Sequence, residues 1–140
     1  ILSRTIQKEK THSPWKISMI NTIHIKRLAL YGHHGVMPQE KVVGAIFYVS
    51  LEIKCEVAKE AYLHDELDGT ISYADIIDHV RKEMNTPSAL LENLAYKIGK
   101  TLIDAFSRIQ CINVRIDKEN PPCGVSAESI GVECEIHRDA

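Results

Sequence analysis

The chain has 140 residues, 44% of them hydrophobic and 26% charged, with a formal net charge of −2. Those values suit one globular domain. They give no electrostatic reason to expect nucleic acid or an anionic membrane surface as a partner, and no apolar run approaches the ~18 residues of a membrane span.

Residues 1–20 differ from the rest. Arg4, Lys8, Lys10 and Lys16 stand against one acid, Glu9, with no clear amphipathic period and without the apolar core of a signal peptide. The segment reads as an N-terminal extension outside the fold, with Met19 near the start of a domain over residues 21–140.

Two strands are expected first. From Thr22 to Gly32, Ile23 and Ile25 alternate, then Leu28 and Leu30; the phase slips at Lys26-Arg27, as a β-bulge would make it. Phe47, Val49, Leu51, Ile53, Cys55 and Val57 then alternate with Tyr48, Ser50, Glu52, Lys54 and Glu56, giving one apolar and one polar face. The Gly-rich segment between them reads as a loop. Its His33-His34 pair does not chelate an ion easily, because neighbours in an extended chain point to opposite sides. No metal site is expected.

Two helices follow. Tyr73, Ile76, Ile77, Val80 and Met84 hold helical spacing, and Ser72 to Asp75 matches a capping box. Thr86-Pro87 reads as the start of a second helix, with an apolar stripe of Leu91, Leu94, Ala95, Ile98, Leu102, Ala105 and Phe106. Two more alternating strands close the chain, Ile112-Val114-Ile116 and Ile130-Val132-Cys134-Ile136. The first must end by Pro121-Pro122, which cannot donate ladder hydrogen bonds, and Asn120 before them is held extended.

The order ββααββ lacks βαβ alternation. It predicts an α+β fold, a mostly antiparallel four-stranded sheet with two helices on one face. The other face is polar and tolerates water. Long strands leave edges that need protection, and a ring of subunits joined strand to strand would supply it. Cys55, Cys111, Cys123 and Cys134 show neither a CxxC pair nor zinc-ribbon spacing. They read as reduced thiols packed like small core residues, which suits a reducing compartment.

Few residues invite chemistry. Lys118 is in phase with Ile112, Val114 and Ile116, so it points to the helix-covered face. It is either a snorkelling surface residue or a partly buried amine suited to proton transfer. Glu92 falls in the first turn of the second helix, where a carboxylate suits the macrodipole. It could also take paired hydrogen bonds from a guanidine-like edge. Tyr73 opens the first helix and is either a core aromatic or a hydroxyl in want of a partner. Glu40 alone looks like solvated loop surface.

Four motifs change this reading. YGHHGVMPQEK (residues 31–41), ISYAD (71–75), LLENLA (90–95) and DKENPP (117–122) occur in an order and spacing that resemble dihydroneopterin aldolase. The resemblance covers roughly residues 21–138. It implies a tunnelling fold, with subunits joined into a barrel-like tetramer or stacked octamer and with sites between neighbours. It implies cleavage of 7,8-dihydroneopterin in folate biosynthesis, without metal, cofactor or Schiff base, by a cytoplasmic enzyme. Lys118 then matches the catalytic lysine and Tyr73 the tyrosine that assists proton transfer. Glu92 matches the carboxylate gripping the pterin edge, with Leu91 supplying backbone contacts. Glu40 matches the glutamate near the substrate side chain, and Val36 and Ile71 match positions lining the pterin. The segment CGVSAES (123–129) and residues 1–20 have no counterpart in the pattern. A dihydroneopterin triphosphate epimerase would share the fold but should carry more cationic residues than Lys41 in the loop after the histidines. A non-catalytic pterin-binding subunit should lack Lys118 or Tyr73, and both are present.

Overall fold

The computed structural model describes residues 19–119 and 123–139. Of the extension read over residues 1–20, residues 1–18 lie outside the described residues, as does the strand stop at Asn120-Pro121-Pro122, whereas Ile20 already opens the first strand. Four strands, β1 (Ile20–Gly32), β2 (Ala45–Glu56), β3 (Ile109–Lys118) and β4 (Ile130–His137), form one antiparallel sheet in the order β1-β2-β3-β4. The main helices are α3 (Tyr73–Met84) and α4 (Leu91–Ala105). Two short ones precede them, α1 (Pro38–Val43) and α2 (Lys59–His64). None of the described helices is long and apolar enough to cross a membrane.

The bulge falls where the phase slips. Ile25 pairs with Leu51 and Leu28 with Val49, so β1 takes three steps while β2 takes two. Arg27 absorbs the extra residue at φ 51°, in the left-handed region. Beyond the bulge, Leu28 and Leu30 return to the core side, which rescues the alternation.

The core lies between the sheet and the two main helices. Phe47, Val49, Leu51, Ile53 and Cys55 of β2 and Ile112, Val114 and Ile116 of β3 are buried against Ile76, Val80 and Met84 of α3 and Leu94, Ile98 and Leu102 of α4. Each such side chain contributes about 1.5–3 kcal/mol on burial. Helix α4 packs on β3 and β4, while α3 packs on α4 and β1. At Gly99 a Cβ would run into Ile136, so the glycine lets α4 lie close to β4.

Three local expectations need correction. Ser72 occupies the N-cap position of α3 but makes no side-chain capping bond. The second helix starts at Leu91 with Leu90 as N-cap, not at Thr86-Pro87, because the backbone of Ser88 is engaged elsewhere. The loop after β1 contains α1, which buries no residue and so leaves no apolar period to read.

Candidate active site

The site gathers where β3 ends. Lys118 pairs with Phe47 at the start of β2, and its phase turns it toward the helix-covered face, with the side chain 17% exposed. Its Nζ donates to Glu40 Oε1 at 2.7 Å. The second oxygen of Glu40 accepts from the Met37 backbone N–H at 3.1 Å. That is the reach-back of an N3 glutamate to its N-cap, so α1 fixes the carboxylate. Lys118 holds the Glu40 carboxyl below its usual range through this hydrogen bond, against the opposing effect of burial. Gly35, at φ 146°, passes so close that a Cβ there would strike the Glu40 carboxylate.

A cleft of about 320 Å³ opens beside the ion pair. Val36, Glu40, Leu91, Glu92 and Lys118 are among its lining residues. Glu92 is exposed in the first turn of α4. Among the described residues no hydrogen bond or ion pair engages its carboxylate, and Glu92 lines the cleft. A second hollow shares Glu40 and Lys118 and is lined also by His34 and Phe47. The chain therefore brings together Val36, Glu40, Leu91, Glu92 and Lys118.

Two expected residues stay apart. Ile71 is buried in the core, and Tyr73 is 69% exposed. Neither lines either cleft. Met84, at the far end of α3 from Tyr73, lies with His34 over Gly32. A helix of 12 residues spans roughly 18 Å. Tyr73 is thus about a helix length from the Lys118 end of the same chain.

The walls are tied by a residue the sequence reading set aside. His34 is 1% exposed, with its ring edge-on to Phe47. Its Nδ1 accepts the Ser88 backbone N–H at 3.0 Å, while the Gly35 N–H donates to the Ser88 carbonyl at 2.9 Å. These two bonds join the loop carrying Val36 and Met37 to the loop leading into Leu91-Glu92. Accepting at Nδ1 requires a neutral ring with its proton on Nε2. Burial, aided by the charges of Lys97 and His33, lowers the His34 pKa from 6.5 to about 4, which keeps the acceptor free. On the polar face, Arg27 lies 4.2 Å over the Tyr48 ring and binds Glu119 at 2.9 Å. The bulge thereby steadies the residue next to Lys118.

Comparison with known proteins agrees with the motifs. The sequence model of the family described as FolB: Dihydroneopterin aldolase matches residues 23–135. A dihydroneopterin aldolase of Methylorubrum extorquens is 37% identical over 116 residues, 82% of this chain and 88% of that protein. One of Streptococcus pyogenes is 34% identical over 120 residues, 85% of this chain and 100% of that protein. The fold resembles the Escherichia coli dihydroneopterin aldolase solved in complex with neopterin, with a TM-score of 0.72 and 22% identity, covering 83% of this chain and 98% of that one. With the family model matching residues 23–135 and these relatives matched along nearly their full length, the chain belongs to the dihydroneopterin aldolase family.

Proposed function

We propose that the chain is an aldolase of folate biosynthesis that cleaves 7,8-dihydroneopterin into 6-hydroxymethyl-7,8-dihydropterin and glycolaldehyde. The observation that carries this is the Lys118–Glu40 pair, at 2.7 Å, lining the same cleft as Glu92, whose carboxylate no described residue engages. Glu92 accepts paired hydrogen bonds from the amino-pyrimidine edge of the pterin. Leu91 adds backbone contacts, and Val36 lines the ring. The side chain of the substrate then lies toward Lys118 and Glu40.

The chemistry is a retro-aldol cleavage. The side-chain hydroxyl loses its proton, the carbon–carbon bond breaks, and the electron pair moves into the C=N of the dihydropterin ring. Glycolaldehyde leaves. A proton added to the exocyclic carbon of the enol-like intermediate restores the ring. The ring C=N receives the electrons that a Schiff base receives in other aldolases, so general acid–base catalysis suffices. Lys118 handles proton transfer at cleavage, Glu40 holds its amine and the substrate hydroxyl, and Tyr73 serves reprotonation.

Tyr73 must then come from a neighbouring subunit. Both its exposure and its distance along α3 support a head-to-tail contact, and a heterologous contact that closes makes a ring. The open edges of β1 and β4 support the same barrel-like tetramer, alone or stacked as an octamer. A reaction on a small pterin suits a cytoplasmic enzyme. The test is incubation with 7,8-dihydroneopterin and assay of glycolaldehyde, with and without a chelator. Stoichiometric glycolaldehyde in both is expected; no glycolaldehyde would refute the assignment.

A further inference from the structure

The polar face carries a second cluster, away from the cleft. Cys111 of β3 pairs with His137 of β4, and Glu135 lies two residues before His137 on the same face. Cys111 Sγ is 3.7 Å from Glu135 Oε1. Glu135 Oε2 is 3.2 Å from His137 Nε2. One donor atom from each residue lies within 4.8 Å of the others. Zinc bonds of ~2.0–2.3 Å at tetrahedral angles place neighbouring donors roughly 3.3–3.7 Å apart. Glu135 makes these approaches with different oxygens, Oε1 toward Cys111 and Oε2 toward His137, and small side-chain rotations bring one donor from each residue to that spacing.

We propose that Cys111, Glu135 and His137 form a binding site for a divalent cation of the zinc class. Thiolate, imidazole and carboxylate together suit a borderline-soft ion rather than magnesium or calcium. On binding, the Cys111 thiol gives its proton to solvent as the metal–sulfur bond forms, so affinity rises with pH. Burial and the Glu135 carboxylate push that thiol up when it is empty, and a cation between them relieves the repulsion. The nearest opposing charge is Lys54, the cross-strand partner of Cys111 on β2; it is exposed and free to swing into water. Arg138 does not compete, since its guanidinium is bound to the carbonyls of Ile103, Phe106 and Ile109. The three ligands leave the fourth position open.

The site is independent of the aldolase reading. Cys111 is seven residues from Lys118 on β3, about 23 Å, and faces the other side of the sheet. Because the ligands come from two strands, no local spacing announces them.

The test is a cobalt(II) titration of the full chain, followed by competition with zinc. Expected is a thiolate-to-cobalt charge-transfer band that saturates near one cobalt per chain and is lost on adding zinc. Cys111→Ser should abolish the band, and His137→Ala should weaken binding about tenfold or more, both with unchanged circular dichroism. Glycolaldehyde release should be the same in wild type and Cys111→Ser. No thiolate band in the wild type, or a band that survives Cys111→Ser, would overturn the site whatever the aldolase assay gives.

Discussion

At the scale of single residues, Lys118 and Glu92 face the same cleft but carry different demands. Among the described residues Lys118 has one partner, Glu40, which is fixed by its own bond to the Met37 backbone. In the proposed mechanism its role is proton transfer, so Lys118→Ala should lower turnover by about two to four orders of magnitude. Binding of the hydroxymethyl product should change far less. Glu92 has the opposite profile. Glu92→Gln keeps the shape but sets a donor against a donor, losing a charge-assisted bond worth about 1.5–3 kcal/mol. Product titration should then show affinity falling by about one to two orders of magnitude. If the two variants lose turnover and affinity in the same proportion, the division between chemistry and grip is wrong.

At the scale of elements, the site depends on two loops being held together. The paired bonds between His34-Gly35 and Ser88 join them, and they need neutral His34. The His34 pKa is lowered in the fold, from 6.5 to about 4. Between these values the unfolded chain binds a proton that the folded chain does not. Stability from this group is therefore full above about pH 6.5 and falls as pH drops toward 4. His34→Gln retains an acceptor but does not titrate. The wild type's urea midpoint should exceed that of His34→Gln by more at pH 7 than at pH 5, and a gap independent of pH would exclude the neutral clamp. The sequence made the sheet legible because alternation reports each strand face directly, including the slip that became the bulge at Arg27. It made Lys118 legible for the same reason. It left α1 and α2 unread, since each has six residues and buries none. Glu40 looked like bare surface because its partner is 78 residues away. His34 was weighed only as a metal ligand, and nothing in a HisHis pair announces a buried acceptor for a distant backbone N–H.

For the whole molecule, exposed apolar side chains gather in two places, around the cleft and about a helix length from it. Val36, Val42, Val43 and Leu90 are exposed around the cleft, and Leu63, Leu67 and Tyr73 are exposed on the segment from α2 to the start of α3. In the proposed ring, joining the second group of one copy to the first group of the next would cover both and bring Tyr73 to a neighbour's Lys118. A consequence follows that no single-chain site would share. Lys118→Ala supplies an intact Tyr73, and Tyr73→Phe supplies an intact Lys118. Each variant alone should form rings whose sites all lack one group. Unfolded together in equal amounts and refolded, the two should place both intact groups at about one quarter of the head-to-tail contacts. Formation of 6-hydroxymethyl-7,8-dihydropterin by the mixture, which needs both groups, should rise well above the mean of the two separate preparations, toward about a quarter of the wild-type rate at random assembly. The folded variants mixed without unfolding should show the rise only as fast as subunits exchange. Light scattering on the same samples should give a mass of at least four chains. A co-refolded mixture no more active than the mean of its parts, at that same mass, would place Tyr73 and Lys118 in separate sites and remove the shared cleft.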